Sequence, residues 1–267
     1  MREVRVLGCR IDNLTLEETL ARVELLIAAR VPAQQVSVNV DKVVQAARDP
    51  ELREFMESCA LSNADGMPVV WASRLLGEPL KERVAGIDLF EGLMARAAEK
   101  GWRVYLLGAN EDVVRDARAT FERKHPRLQI VGHRNGYWKP AEEPLVVERI
   151  RAARPDILFV ALGSPAKERF LARWHESMGV PFAMGVGGSF DVAAGRTRRA
   201  PVWMQRTGLE WFHRFLQEPR RMFPRYFVRD LAFFRMLLPE VLSRRFREAL
   251  ALVAATVAAA ACLTLEV

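Results

Sequence analysis

The stretch Ile157-Leu158-Phe159-Val160-Ala161-Leu162, followed by Gly163-Ser164-Pro165 and a helical pattern over 166–178, decides the fold class of this chain. Six successive apolar residues without alternation are typical of a strand that is covered on both faces, as in a parallel sheet. The same strand–turn–helix order recurs after residues 103–107, and a further strand at 181–186 also ends in a glycine turn. We therefore predict an α/β fold, a Rossmann-like and mostly parallel sheet with helices on both faces, over residues 1–195.

Two segments outside this alternation carry predictions of their own. Residues 11–14 are expected to form a turn that follows a short strand at 4–7. Residues 202–218, which include Trp203, Trp211, Phe212 and Phe215, are expected to form one amphipathic helix that ends at Pro219.

The charge is unevenly distributed along the 267 residues. Residues 1–195 carry 27 Lys and Arg and 27 Asp and Glu, a balance of zero. Residues 196–247 carry 13 Arg and 4 acids, a balance of +9, and Glu248 and Glu266 bring the total to +7. Arginine binds phosphate through a planar pair of donors, and arginines interleaved with aromatic residues suit the interface of an anionic membrane.

We therefore predict that residues 196–247 are a membrane-associating appendage, which is loose until membrane or dimer contacts order it. Residues 248–267 are predicted to be an apolar, Ala-rich tail. Its 17 uncharged residues, 249–265, are short and rich in Ala for a transmembrane span, which favours a weakly anchored or packed helix.

Cysteine and histidine usage gives no sign of a metal or cofactor. The three cysteines (Cys9, Cys59 and Cys262) are widely spaced, and no D-x-D pair or His-rich spacing occurs. We predict no metal site and no cofactor, in a reducing cytosol. The first residues lack the apolar core of a signal peptide.

Small polar residues and glycines follow the predicted strands, at the edge where parallel sheets bind ligands. They include Asn39, Asp41, Gly187, Gly188 and the Asp65 of Ser62-Asn63-Ala64-Asp65-Gly66-Met67-Pro68. Asp65 either caps the helix that begins near Met67 or faces a cleft, and the sequence leaves both open.

Two other functions are kept as alternatives. Gly185-Val186-Gly187-Gly188 follows a predicted strand and matches part of the dinucleotide-binding fingerprint, but Phe190 stands where the last glycine of that motif would be. A nicotinamide-dependent oxidoreductase is therefore one alternative. A non-enzymatic protein that binds anionic membranes is the other; no nucleic acid partner is predicted, because the arginines form no recognisable nucleic-acid motif.

Several motifs, taken in order, resemble the WecG/TagA/CpsF glycosyltransferases (glycosyltransferase family 26) over about residues 4–240. The motifs are Asn39-Val40-Asp41, Asn63-Ala64-Asp65-Gly66-Met67-Pro68, Arg83-Val84-Ala85-Gly86-Ile87-Asp88, Gly187-Gly188-Ser189-Phe190-Asp191, Arg199-Ala200-Pro201 and Gly208-Leu209-Glu210-Trp211, followed by Arg214 and Glu218-Pro219.

The resemblance implies a metal-independent, inverting transferase that moves a sugar from a UDP-sugar to a polyprenyl-diphosphate-linked sugar. Donors in the family carry N-acetylmannosamine, its uronic acid, or glucose. The implied location is the cytoplasmic face of the plasma membrane, as a peripheral protein of cell-surface polysaccharide or teichoic acid biosynthesis. A homo-oligomer stays open.

The resemblance also implies roles for individual residues. Asp65 corresponds to the proposed general base, and Ser37, Asn39 and Arg83 are expected to line the sugar and acceptor site. Arg214, Arg221 and Arg225 are expected to bind the UDP leaving group or the lipid diphosphate. With these, the predicted substrate site comprises Asp41, Lys167, Gly187, Gly188 and Asp191.

One of these positions departs from the family pattern. Pro165-Ala166-Lys167-Glu168 stands where the family usually has Pro-x-Gln-Glu. Lysine in place of an amide removes a hydrogen-bond acceptor and adds a charge. The sequence leaves open whether Lys167 changes which sugar is bound or contacts a diphosphate.

Overall fold

The computed structural model describes residues 2–244. The predicted apolar tail, 248–267, lies outside the described residues, as do the last residues of the predicted appendage.

Six parallel strands form the central sheet, in the order β4-β3-β8-β7-β5-β6. Their bounds are β3 Ala33–Val38, β4 Leu61–Ala64, β5 Arg103–Gly108, β6 Gln129–Arg134, β7 Ile157–Ala161 and β8 Phe182–Gly185. All five residues of β7 are buried, as the unbroken apolar run predicts.

Helices cover both faces of this sheet, so the predicted α/β, Rossmann-like fold is confirmed. On one face, α1 (Leu16–Ala29), α5 (Gly86–Lys100), α6 (Glu111–Lys124) and α9 (Ser189–Ala193) enclose one apolar core. On the other face, a second core includes residues of α2 (Val40–Ala46), α3 (Pro50–Ser58), α4 (Met67–Leu75), α7 (Glu143–Ala153) and α8 (Ala166–Met178).

The prediction of a turn at 11–14 is wrong. Cys9–Asp12 is strand β2, which pairs antiparallel with β1 (Glu3–Val6). The tight turn lies earlier, at Leu7 and Gly8, which both have positive φ, as a two-residue hairpin turn requires. The Asp12 carboxylate accepts a hydrogen bond of 2.7 Å from the Ser62 N–H, which holds the hairpin beside β4.

The single helix predicted over 202–218 is two helices, α10 (Val202–Arg206) and α11 (Glu210–Gln217). Gly208 separates them with φ +79°, a conformation that glycine adopts without strain. A Cβ at Gly208 would lie 2.7 Å from Cγ of Met67, so the close packing on α4 also requires glycine.

The C-terminal segment continues with α12 (Pro219–Pro224), a π-helical turn at Arg225–Arg229 and helical residues 231–244. Met222, Phe233 and Leu237 are buried, and the last two belong to the core beneath α2 and α8. The expectation that this segment is loose is wrong for these residues, because one apolar side of the segment packs on the domain.

Candidate active site

Strand β4 ends by placing Asp65 at the carboxyl edge of the sheet. Ala64 lies in register with Val38 of β3, and the Asp65 N–H donates to the Val38 carbonyl over 2.8 Å. Asn39 and Asp65 therefore leave neighbouring strands at the same level. The structure brings them together at the edge where open parallel sheets bind ligands.

The Asp65 side chain faces the beginning of α5. The backbone N–H of Gly86, the first residue of that helix, is directed at the carboxylate, and α5 has no cap from its own N-cap side chain. Helix α4 likewise begins without a side-chain cap, after Gly66. Asp65 therefore does not cap α4, and its carboxylate lies at the electropositive end of a 15-residue helix.

Gly86 closes the space around this carboxylate. A Cβ at Gly86 would lie 3.1 Å from Oγ of Ser37 and 3.6 Å from Oδ2 of Asp65. Ser37, Gly86 and Asp65 therefore share one tight space. Gly86 is not among the site residues predicted from sequence, although its place in the Arg83-to-Asp88 motif was an available signal.

The protein environment raises the pKa of Asp65 above its ordinary value. Burial is the main cause, and the negative charge of Glu210 adds to it. The positive charges of Arg83 and Lys42 and the Gly86 N–H act in the opposite direction. A carboxylate with a raised pKa is a stronger base than a surface aspartate, provided that it is ionised.

A buried polar chain supports the strand ends below Asp65. Nε2 of Gln35 donates to Oγ of Ser37 over 3.1 Å and also to Oδ1 of Asn63. Nδ2 of Asn63 in turn donates to the Val84 carbonyl over 2.6 Å. These bonds tie β3, β4 and the loop before α5 into one unit, so the position of Ser37 is fixed.

Asn39 and Asp41 both reach the edge, with different partners. Oδ1 of Asn39 accepts the Lys42 N–H over 3.0 Å and caps α2, which leaves the amide donors of Asn39 for a ligand. Asp41 lies in the first turn of α2, with Oδ2 3.7 Å from Nε of Arg225 and Oδ1 3.9 Å from Nη1 of Arg229. Asp41 thus contacts the C-terminal segment.

Arg83 belongs to a network of four charges. Its Nη1 lies 2.7 Å from Oε2 of Glu210 and its Nη2 lies 3.9 Å from Oδ2 of Asp88. Arg199 contacts the same two carboxylates, at 2.6 Å from Asp88 and 3.4 Å from Glu210. The charge of Arg83 acts on Asp65, and its guanidinium also connects the loop before α5 to α11.

The glycine turn after β8 lies beneath Arg214. Gly187 has φ +53°, and a Cβ at Gly188 would lie 2.8 Å from Nη2 of Arg214 and 3.7 Å from Oδ2 of Asp191. The guanidinium can lie this close because Gly188 has no side chain. The structure therefore brings together Gly188, Asp191 and Arg214. The guanidinium of Arg214 is a cation suited to bind a phosphate.

Lys167 is buried in the first turn of α8. Its Nζ lies 2.9 Å from Oε1 of Glu168, and Nζ of the buried Lys42 lies 3.1 Å from the same oxygen. Lys42 and Glu168 are not among the site residues predicted from sequence, because a lysine and a glutamate on separate helices give no signal before the fold brings them together.

Arg225 and Tyr226 lie where the C-terminal segment covers the cleft. The Arg225 guanidinium is 5.7 Å from the centre of the Tyr226 ring. Burial raises the pKa of Tyr226, and the nearby charge of Asp65 adds to it. Arg221 lies in α12, and its side chain is outside the described residues.

Residues 4–247 match the Glycosyl transferase WecG/TagA/CpsF family. The chain belongs to this family. It is 35% identical over 195 residues to the N-acetylglucosaminyldiphosphoundecaprenol N-acetyl-beta-D-mannosaminyltransferase of Bacillus subtilis (strain 168), covering 73% of this chain and 75% of the relative. It is 37% identical over 186 residues to the protein of the same name from Bacillus spizizenii (strain ATCC 23059 / NRRL B-14472 / W23), covering 70% and 72%.

The protein is therefore a glycosyltransferase, and the resemblance seen in the sequence is confirmed. Within residues 2–244, no helix is both long and apolar enough to cross a bilayer. In the same range, no three or more His, Cys, Asp and Glu side chains converge in a way that could hold a metal ion.

Proposed function

We propose that this glycosyltransferase moves N-acetylmannosamine from a UDP-sugar to N-acetylglucosamine on a polyprenyl diphosphate, with inversion and without a metal. The two relatives support the donor and acceptor, since both are named as N-acetylmannosaminyltransferases that act on an N-acetylglucosaminyl diphosphoundecaprenol. Because the identity is 35–37%, the uronic acid of N-acetylmannosamine and glucose are tested beside it.

Asp65 is the proposed general base, and its position carries the proposal. The carboxylate lies at the carboxyl edge of β4, faces the α5 N-terminus and has a raised pKa. In the proposed step the acceptor hydroxyl oxygen bonds to the anomeric carbon, the bond from that carbon to the UDP oxygen breaks, and Asp65 takes the hydroxyl proton. This single displacement inverts the anomeric configuration.

The departing UDP carries negative charge that cations must stabilise. Arg214 over Gly188 and Arg225 beside Tyr226 are the proposed partners, because both guanidinium groups lie at the edge where Asp65 lies. Arg221 is assigned the same role from the family resemblance alone. We propose that these side chains replace a metal ion in stabilising the diphosphate.

The acceptor's lipid requires the site to work at a membrane surface. Of the 18 exposed large apolar side chains in the described part of the chain, 12 lie between residues 202 and 242. Trp203, Phe223 and Phe234 are each more than half exposed, among the arginines of this segment. We propose that this side of the segment binds the anionic cytoplasmic face of the plasma membrane peripherally.

The experiment is UDP release from UDP-N-acetylmannosamine, its uronic acid analogue and UDP-glucose, with a short-chain prenyl-diphosphate-GlcNAc acceptor and EDTA present. Release that depends on the acceptor and persists in EDTA would support the reaction class and metal independence together. A requirement for added Mg²⁺ or Mn²⁺ would refute the metal-free proposal. If none of the three donors gives UDP release, with folded protein and vesicles supplied, the proposed function is refuted.

Family membership argues against the nicotinamide-dependent alternative, and Arg214 already covers the glycine turn on which that alternative rests. A purely membrane-binding protein would leave the Asp65 site without a purpose. Binding to anionic vesicles without any sugar transfer would favour the membrane-binding alternative.

A further inference from the structure

Two buried lysines share one carboxylate at the carboxyl edge of the sheet. Glu168 lies 2.9 Å from Nζ of Lys167 and 3.1 Å from Nζ of Lys42, and all three residues are less than 10% exposed. The cluster therefore holds one formal positive charge in excess. A buried charge without a partner is unfavourable unless an opposite charge joins it.

The neighbouring charges do not remove this excess. Asp41 lies near both Arg225 (3.7 Å) and Arg229 (3.9 Å), so a second carboxylate is also shared by two cations. Asp230 is the third acid, and burial raises its pKa to about 6. Asp65 acts on Lys42 as a further carboxylate, but the charges that act on Lys167 itself are those of Lys42, Arg225 and Glu168, two positive against one negative.

Lys167 lies at the cleft and not in a remote part of the core. Its side chain crosses the end of β8, where a Cβ at Gly185 would lie 2.8 Å from its Cε. β8 lies between β3 and β7, and Gly187 and Gly188 follow it after Val186. Lys167 therefore lies close to the glycine turn that Arg214 covers.

We propose that Lys167, held by Glu168 and backed by Lys42, contacts an oxyanion of the substrates. This inference rests on the proposed function and assigns a role to the residue that departs from the family's usual Gln. The oxyanion has two sources in that reaction: a diphosphate, of the donor or of the acceptor, or the carboxylate of a uronic acid donor.

The electrostatics of the site agree with this role. Burial, with the charges of Lys42 and Arg225, lowers the pKa of Lys167 to about 8, and Glu168 only partly opposes this. Burial raises the pKa of Glu168, but the positive charges of the two lysines have the larger effect and lower this pKa to about 2. A bound oxyanion would stabilise the protonated Lys167, as a second carboxylate would.

The test compares Lys167→Gln with Arg169→Gln. Both substitutions remove one cation from the first turns of α8, but Arg169 is largely exposed and pairs with Asp49 and Glu51 on the surface. Calorimetry would measure the affinity for UDP, UDP-N-acetylmannosamine and its uronic acid analogue, and kinetics would give KM for the prenyl-diphosphate acceptor.

We expect Lys167→Gln to weaken one class of ligand by roughly 10- to 100-fold, the size of a hydrogen bond to a charged group, while Arg169→Gln changes nothing. Weaker binding of UDP and both donors assigns the donor diphosphate, and weaker binding of the uronic acid donor alone assigns its carboxylate. A raised KM for the acceptor alone assigns the lipid diphosphate. Unchanged affinity and KM for all of them would overturn the proposal.

A measurement on the unsubstituted enzyme covers the case in which Lys167→Gln does not fold. Affinity for at least one of UDP, UDP-N-acetylmannosamine, its uronic acid analogue and the prenyl-diphosphate acceptor should fall between pH 7 and pH 9, as Lys167 loses its proton among Lys42, Glu168, Arg225, Asp41 and Asp230. A flat profile would count against Lys167. Absence of transfer from every donor, with UDP binding intact, would instead refute the proposed function and leave the oxyanion contact standing.

Discussion

Nη1 of Arg83 lies 2.7 Å from Oε2 of Glu210, and this ion pair connects the loop before α5 to helix α11. The two residues act on Asp65 in opposite directions, because the charge of Arg83 lowers the pKa of Asp65 and the charge of Glu210 raises it. The C-terminal segment therefore influences the proposed base as well as covering the cleft.

We expect Glu210→Gln to move the acid limb of the kcat/KM profile to lower pH. The substitution removes a negative charge that raises the pKa of Asp65, and it leaves Arg83 less neutralised beside the carboxylate. The measurement is a pH–rate profile of acceptor-dependent UDP release. Glu240→Gln, on an exposed position of the same segment, is the control, and an identical acid limb in both variants would contradict the coupling.

Asp65→Asn should abolish most transfer without destabilising the fold. Loss of a general base lowers kcat by on the order of 10²–10⁴-fold. Since the folded state raises the pKa of Asp65, the ionised carboxylate destabilises the protein above its unfolded pKa, so the Tm at pH 7 should be equal or higher. Activity above a tenth of normal, with UDP binding retained, would remove Asp65 from this role.

Gly86→Ala should impair transfer more than Gly163→Ala. A methyl group at Gly86 would lie 3.1 Å from Oγ of Ser37 and displace either that hydroxyl or Asp65. A methyl group at Gly163 meets nothing within 4 Å, so this variant controls for the loss of a glycine at the same edge of the sheet. Equal activities would show that the space around Asp65 is not constrained by Gly86.

His175 should make the protein less stable in mild acid. Burial lowers its pKa to about 4, so the unfolded chain takes up a proton below pH 6.5 that the folded chain does not. The contribution of His175 to the free energy of unfolding should therefore fall by about 2 kcal/mol between pH 7.5 and pH 5. Urea unfolding at both pH values should show a smaller loss for His175→Asn, and an equal loss would contradict the assignment.

The sequence predicted the sheet because its signals are local. The apolar run at 157–162 and its glycine turn need no distant partner to indicate a buried parallel strand, and β7 is buried throughout. The turn at 11–14 and the single helix over 202–218 failed for the opposite reason. The β1–β2 hairpin and the break at Gly208 depend on packing against β4 and α4.

The sequence alone determined the strand ends that carry polar residues, the family, and Asp65 as the residue to test. The tertiary structure decided what those residues contact: the Gly86 amide beside Asp65, Glu210 on Arg83, and two lysines on Glu168. Except for the adjacent Lys167 and Glu168, these partners are 21 to 127 positions apart. Because charge interactions depend on distance in space and on burial, and neither can be read from sequence spacing, only the folded chain could fix them.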